Sequence, residues 1–147
     1  EGAALGYPAL AVSLEADTKY HLSYSDEMDF SAAAYFTKLF AQKLLEKKFS
    51  DEVDLLKVDV PSDATKATAW QMTRLSRRRY YEPMPPERSS WNQPAVVGYK
   101  ENASLENEEE DTDVFIMRKK RLISVTPLSL DMTARVDLVE FEKQLRD

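Results

Sequence analysis

Apolar positions recur every three to four residues from about 29 to 46 and every second residue from 55 to 60, a change of period that marks an amphipathic helix feeding a strand. At ~100° per residue, Ala33, Phe36, Thr37, Phe40, Ala41 and Leu44 share one side of the helix, with Lys38, Gln42 and Glu46 opposite. Asp29 or Ser31 can cap its start. Lys43, Lys47 and Lys48 complement the carbonyl end of its dipole, and Ser50-Asp51 supplies a break. In the strand, Leu56, Val58 and Val60 face one way and Leu55, Lys57 and Asp59 the other; Pro61 stops it because proline brings no amide hydrogen to a ladder. Upstream, residues 8–14 form a nearly continuous apolar run, which predicts a strand covered on both faces. Strand, helix, strand in that order predicts a parallel pair with a right-handed crossover, hence an α/β protein.

Residues 1–5 read as the last turn and a half of a helix closed by Gly6. Nucleating a helix is costly, so five residues do not make one unaided, and two parallel strands do not make a stable sheet. Both points lead to the expectation that an N-terminal portion with further strands precedes Glu1.

Beyond Pro61 the pattern breaks up. Residues 70–81, WQMTRLSRRRYY, carry the aromatic content of a strand despite four arginines, with Pro83, Pro85 and Pro86 expected to end it. Residues 95–99 form a second short strand. The two predict a long β-hairpin with residues 88–92 near its tip, too small to build its own core and therefore packed on another subunit. Near the end, Leu138, Phe141 and Leu145 share a helical spacing in a segment too short to stand without a docking surface. The apolar groups left over on these two segments, Trp91, Val96, Val97 and Tyr99 on one and Leu138, Phe141 and Leu145 on the other, make them the candidate oligomer interface.

Composition narrows the class. The 147 residues, 43% hydrophobic and 31% charged, suit one ordinary soluble domain of about 100 to 200 residues. No apolar run approaches the roughly 18 residues of a membrane span and no signal-peptide pattern opens the chain, which predicts a cytoplasmic protein without membrane partners. With no cysteine there is no disulfide, thiolate nucleophile or cysteine-bound metal. A net charge of -6 argues against general nucleic-acid binding, and the three glycines form neither GxGxxG nor GxxxxGK[ST].

Candidate chemistry is sparse. The single histidine, His21, reads as a surface or partly buried side chain near Tyr20 and Tyr24, with a general base or metal ligand as the alternative. Asp17, Asp26, Glu27 and Asp29 read as solvated loop carboxylates or as a gathering point for a cation. Arg74, Arg77, Arg78 and Arg79, flanked by Trp70, Tyr80 and Tyr81, are the strongest local charge signal. They admit three readings: pairing with the acidic run 106–113, contact with phosphate, or binding of single-stranded nucleic acid.

Four segments in order carry a resemblance: EGAALGYPALAVSL at 1–14, LLKVDVP at 55–61, MTRLSRRRYY at 72–81 and DTDVFIMRKKRLISVTPLSLDMT at 111–133. Together they resemble the C-terminal part of the SurE family, the stationary-phase survival proteins that act as metal-dependent 5'-nucleotidases. The most specific match is Thr112-Asp113 before a short helix, then Ser124-Val-Thr-Pro-Leu128 with Asp131 and Thr133. The chain departs from the family at Ser76 and Arg121-Leu122, where glycine is usual, and at Pro86-Glu87-Arg88-Ser89, a reduced "DPRG".

The resemblance implies part of a Rossmann-like, three-layer parallel sheet. Residues 1–64 would form the C-terminal half of the α/β core, 65–110 a projecting hairpin and acidic loop, 111–135 the return to the sheet and 136–147 a C-terminal helix. It implies a hydrolase of nucleoside monophosphates that uses Mg²⁺ or Mn²⁺ to neutralise phosphate oxygens and activate water. The metal ligands and phosphate contacts would all precede Glu1, so no catalytic, cofactor-binding or metal residue is assigned within 1–147, and this piece alone is expected to be inactive. It also implies a homodimer or tetramer, with exchange of C-terminal elements and assembly through the hairpin. An inactive assembly module, and a nucleic-acid binder using residues 74–81, are the alternatives.

Overall fold

A computed structural model describes residues 1–20, 25–46, 49–101 and 107–146. His21, Tyr24, Lys47, Lys48 and the beginning of the acidic run lie outside the described residues.

The first strand, β1 (Ala9–Leu14), and β2 (Leu55–Val60) pair in parallel, with helix α1 (Ser31–Glu46) between them in sequence. Asp29 accepts hydrogen bonds from the amide and hydroxyl of Ser31, satisfying a donor that the first turn leaves without a helical partner. The helix buries Ala32, Ala33, Phe36 and Phe40, with Leu39 and Leu44 partly covered. The stripe is therefore turned slightly from the one read off the sequence: Thr37 is exposed and donates to the Ala33 carbonyl at 2.7 Å. Phe36 and Phe40 stack and rest on Leu56, Val58 and Val60, the even-numbered face of β2, with Leu10, Val12 and Leu14 of β1 beside them.

Two more strands complete the sheet. β3 (Trp70–Met72) and β6 (Ile123–Leu128) are parallel to each other, and β6 runs antiparallel to β2, giving the order β1-β2-β6-β3. The sheet is thus mixed rather than all parallel. Register sets Val58 opposite Val125 and Trp70 opposite Ile123, so Ile123 and Val125 join the α1 core and Trp70 meets Phe40 edge-on at 5.6 Å. The short helix α2 (Asp113–Arg118) covers the other face, where its Asp113 reaches Lys57. Thr112 caps α2, accepting from the Phe115 amide. Helix, sheet, helix make the three layers of a Rossmann-like α/β fold.

Three expectations are corrected. Residues 70–81 are not one strand: 70–72 belong to the main sheet, and the hairpin is a separate antiparallel pair of β4 (Tyr81–Met84) and β5 (Gly98–Glu101). Pro83 lies inside β4 opposite Tyr99, as a two-stranded ribbon allows because each strand has an open edge, and 95–97 lie outside β5. Strand β1 is not covered on both faces, since Ala11 and Ser13 are exposed where α2 does not reach. Residues 3–5 form a 3₁₀ turn, Ala3–Leu5, closed by Gly6 in the left-handed conformation at φ 80°. No described helix is long and apolar enough to cross a membrane.

Helix α3 (Leu138–Arg146) closes the described chain. Asp137 accepts from the amides of Val139 and Glu140, and pairs of Glu140 with Lys143 and Glu142 with Arg146 line the polar side. It buries no residue.

Candidate functional site

The period-2 rule puts Lys57 and Asp59 on the face of β2 away from α1, and the fold does so in the middle of the sheet. Two charges at an interior position need partners. Lys57 Nζ lies 2.5 Å from Asp59 Oδ2 and 2.8 Å from Asp113 Oδ2, and Asp113 Oδ1 accepts from the amides of Ser76 and Val114. Burial disfavours the Lys57 ammonium, but the hydrogen bonds it donates to Asp113 and Asp59 outweigh that and raise its pKa. Burial pushes the Asp59 carboxyl up, and Lys57 offsets this only in part.

These groups form the floor of a cleft of about 400 Å³ that begins at Ser13 to Ala16, at the carboxyl end of β1. Tyr80, Tyr81 and Glu101 form one wall, with Leu75 and Ser76, and α2 forms the other through Val114, Met117 and Arg118. Open α/β sheets bind ligands beyond the carboxyl ends of their parallel strands, which is where this cleft opens.

Glu15 locks the rim. It accepts from Arg118 Nη1 at 2.5 Å, from Arg121 Nη2 at 2.7 Å and from the amide and hydroxyl of Ser62 at 2.9 and 3.0 Å. Burial alone would raise its pKa; Arg121, Ser62 and Arg118 together outweigh that and bring it down to about 2. Arg118 also pairs with Glu101 of β5 and lies over the Tyr80 ring, and Arg121 reaches Asp63 at 2.6 Å. One carboxylate therefore ties the ends of β1 and β2, the end of α2 and the hairpin. Arg121 holds φ 53°, a left-handed conformation costly for a residue with a Cβ, at the position where glycine was expected from the resemblance. Beside the cleft floor on the same face of the sheet, Thr73 Oγ1 lies 2.9 Å from Ser124 Oγ and 2.7 Å from Thr126 Oγ1, so three buried hydroxyls satisfy one another.

The arginine cluster resolves toward ion pairing. Arg74 grips Asp111 with two hydrogen bonds, 2.7 and 2.8 Å, and also pairs with Glu109, while Arg78 approaches Glu108 at 3.8 Å. Of the loop acids, Asp29 caps α1, Glu27 accepts from the Tyr20 hydroxyl and Asp17 accepts from the Lys19 amide. Trp91, Val97, Tyr99, Leu138, Phe141 and Leu145 are all exposed, Trp91 at 86% and Leu145 at 73%. Arg88 lies over the Trp91 ring, and Tyr99 meets Tyr81 edge-on.

The described carboxylates do not fit a divalent metal. No group of three or more His, Asp or Glu among the described residues could hold one. Glu15 is taken by two arginines, Asp59 and Asp113 by Lys57, and Glu109 and Asp111 by Arg74. Sequence reasoning missed Glu15, Lys57, Asp59, Arg118 and Arg121 as a set. The available signal was Lys57 and Asp59 alternating through an apolar strand.

A family model described as Survival protein SurE matches residues 1–82. The chain is 39% identical to the 5'-nucleotidase SurE of Thermococcus gammatolerans, over 97% of this chain and 52% of that protein. It is 39% identical to the one from Thermococcus kodakarensis, over 99% and 55%, and 35% identical to the one from Methanocaldococcus jannaschii, over 98% and 53%. The chain thus spans about half the length of the curated relatives it matches. The crystal structure of the SurE protein from Aquifex aeolicus has a TM-score of 0.65 at 21% identity, covering 99% of this chain and 54% of that one, a likeness of fold.

Proposed function

The chain belongs to the SurE family, and from that premise we propose that it is the C-terminal part of a divalent-metal-dependent phosphohydrolase acting on nucleoside 5'-monophosphates. The observation that carries this reading is the alignment of nearly the whole chain with proteins named 5'-nucleotidase SurE. The reaction is hydrolysis of a phosphoric monoester: water adds to phosphorus, the ester P–O bond breaks, and nucleoside and inorganic phosphate leave. No step of it is assigned to the carboxylates that line the cleft, because Glu15, Asp59, Glu101 and Asp113 are each held by a lysine or an arginine. The Mg²⁺ or Mn²⁺ that goes with this reading is assigned to residues outside 1–147. The chain supplies half of the sheet and the cleft at the end of β1.

Assembly is the second role, favoured by the exposed apolar face of α3 and by Trp91, Val96 and Val97 beside the hairpin. We assign these surfaces to a homodimer or tetramer of a cytoplasmic protein. A nucleic-acid role through residues 74–81 is weakened by the acids already held by Arg74 and Arg78. Phosphate release from AMP tests the main reading. The full-length protein should turn over with Mg²⁺ or Mn²⁺ and stop with chelator, while residues 1–147 alone should show none. Robust turnover by 1–147, or none by the full-length protein with either metal, overturns it.

A further inference from the structure

The cleft beside β1 has no part in the phosphoryl chemistry just assigned, and its electrostatics differ from those of a phosphate site. Its lining carries three cations, Lys57, Arg78 and Arg118, against four carboxylates, Glu15, Asp59, Glu101 and Asp113. Lys57 and Arg118 are each held by two carboxylates. A phosphate dianion entering here would have to break these pairs and face a net negative wall.

A neutral, flat, hydroxyl-bearing group meets what the cleft offers. Tyr80 and Tyr81 supply aromatic surface and Val114 and Met117 apolar surface. Asp59 gives only Oδ2 to Lys57, which leaves Oδ1 to accept from a sugar hydroxyl or an exocyclic amine. Ser13, exposed on β1, adds a hydroxyl. The volume of about 400 Å³ falls in the range of small-molecule sites, and the Glu15 lock with Arg118 and Arg121 fixes the rim without a ligand.

We propose that this cleft binds the nucleoside portion of the substrate, base and ribose, and leaves the phosphate outside it. The assignment rests on the nucleotidase reading above and adds to it the part of the chain that recognises the substrate.

The test uses full-length protein, wild type and three variants. Ser13→Tyr fills the cleft from an exposed strand position, Tyr80→Ala removes a ring, and Asp59→Asn keeps size while removing charge. In Ser13→Tyr and Tyr80→Ala the ratio of kcat/KM for AMP to kcat/KM for p-nitrophenyl phosphate should fall at least tenfold, through KM. Asp59→Asn should lower it at least threefold, and it carries the test if the other two fail to fold. Adenosine, titrated by NMR, should bind wild type and be lost in Ser13→Tyr. Equal losses on both phosphomonoesters overturn the cleft assignment and leave the nucleotidase reading standing. No turnover of either by wild type overturns the nucleotidase reading instead, and the adenosine titration then decides the cleft: binding that Ser13→Tyr abolishes supports it, and absence of binding overturns it.

Discussion

Replacing Glu15 by Gln removes the charge that holds two arginines while keeping the shape of the side chain. The folded carboxyl titrates at about 2 against an ordinary value of 4.5. At ~1.36 kcal/mol per unit the shift is worth at most about 3.4 kcal/mol at pH 7, an upper figure that solvent screening lowers because the partner side chains Arg118 and Arg121 are 22% and 34% exposed. A folded pKa below the unfolded one gives stability that is full above pH 4.5 and lost as pH falls through 2. The same linkage leaves about 1.4 kcal/mol at pH 3 and about 0.4 kcal/mol at pH 2. The difference between wild type and Glu15→Gln should follow that curve, with Asp63, whose carboxyl the Glu15 charge also raises, adding a smaller change of the opposite sign. Urea unfolding followed by tryptophan fluorescence reads it, since the half-exposed Trp70 packs edge-on against the buried Phe40. A difference under about 1 kcal/mol at pH 7, or one that is the same at pH 7 and pH 3, would refute the assignment of Glu15 as the lock, since it would put the loss outside the charge pairs.

Three further outcomes follow from the same geometry. Arg121→Ala should cost about 2 kcal/mol in urea unfolding, because it keeps the left-handed backbone and loses the hydrogen bonds to Glu15 and Asp63, while Arg121→Gly should recover about 1 kcal/mol of that by relieving the backbone; if Ala proves as stable as Gly, the strain argument fails. Phe36→Ala should cost about 3 to 5 kcal/mol and Lys38→Ala less than about 0.5, because one is in the core and the other on the solvent side of α1; similar unfolding midpoints for the two would contradict the packing. Deleting residues 136–147 should lower the mass seen by light scattering and raise dye binding, and an unchanged mass would remove α3 from the interface.

The core was legible because its elements obey one period at a time. Between Ala33 and Phe40 the helical spacing, and between Leu55 and Val60 the alternation, name the buried face almost residue by residue. The structure turns the helix only enough to put Ala32 and Leu39 inside and Thr37 out. Local pattern failed where pairing is settled at a distance. Nothing inside 70–81 says that Trp70 to Met72 will find β6, more than 50 residues on, or that Pro83 will sit inside a paired strand. The direction of β6 was equally hidden, because a strand reads the same in either direction and its orientation depends on the connections around it.

The cleft shows why a site can be present in a sequence and still not be readable there. The charged groups that line or brace it come from six places: Glu15 after β1, Lys57 and Asp59 on β2, Arg78 before β4, Glu101 on β5, Asp113 and Arg118 on α2, and Arg121 in the turn that follows. Apart from Thr112-Asp113, none of these neighbourhoods is a motif, and in isolation each charge reads as solvated surface. What could be read was a contradiction: Lys57 and Asp59 occupy alternate positions of a strand whose other face is fully apolar. A charge in the centre of a sheet is costly unless a partner reaches it from another element. The sequence therefore required an opposite charge over that face, and Asp113, quoted in the Thr-Asp motif without a role, is the residue that fills the requirement. The same reasoning applies to Arg121. A bulky residue where the backbone calls for glycine needs bonds strong enough to hold it there, and Glu15, Asp63 and Ser62 supply them. In both cases the local rule is broken beside the cleft and compensated by residues that line or brace it, which is where departures from local preference are expected to mark a site rather than a defect.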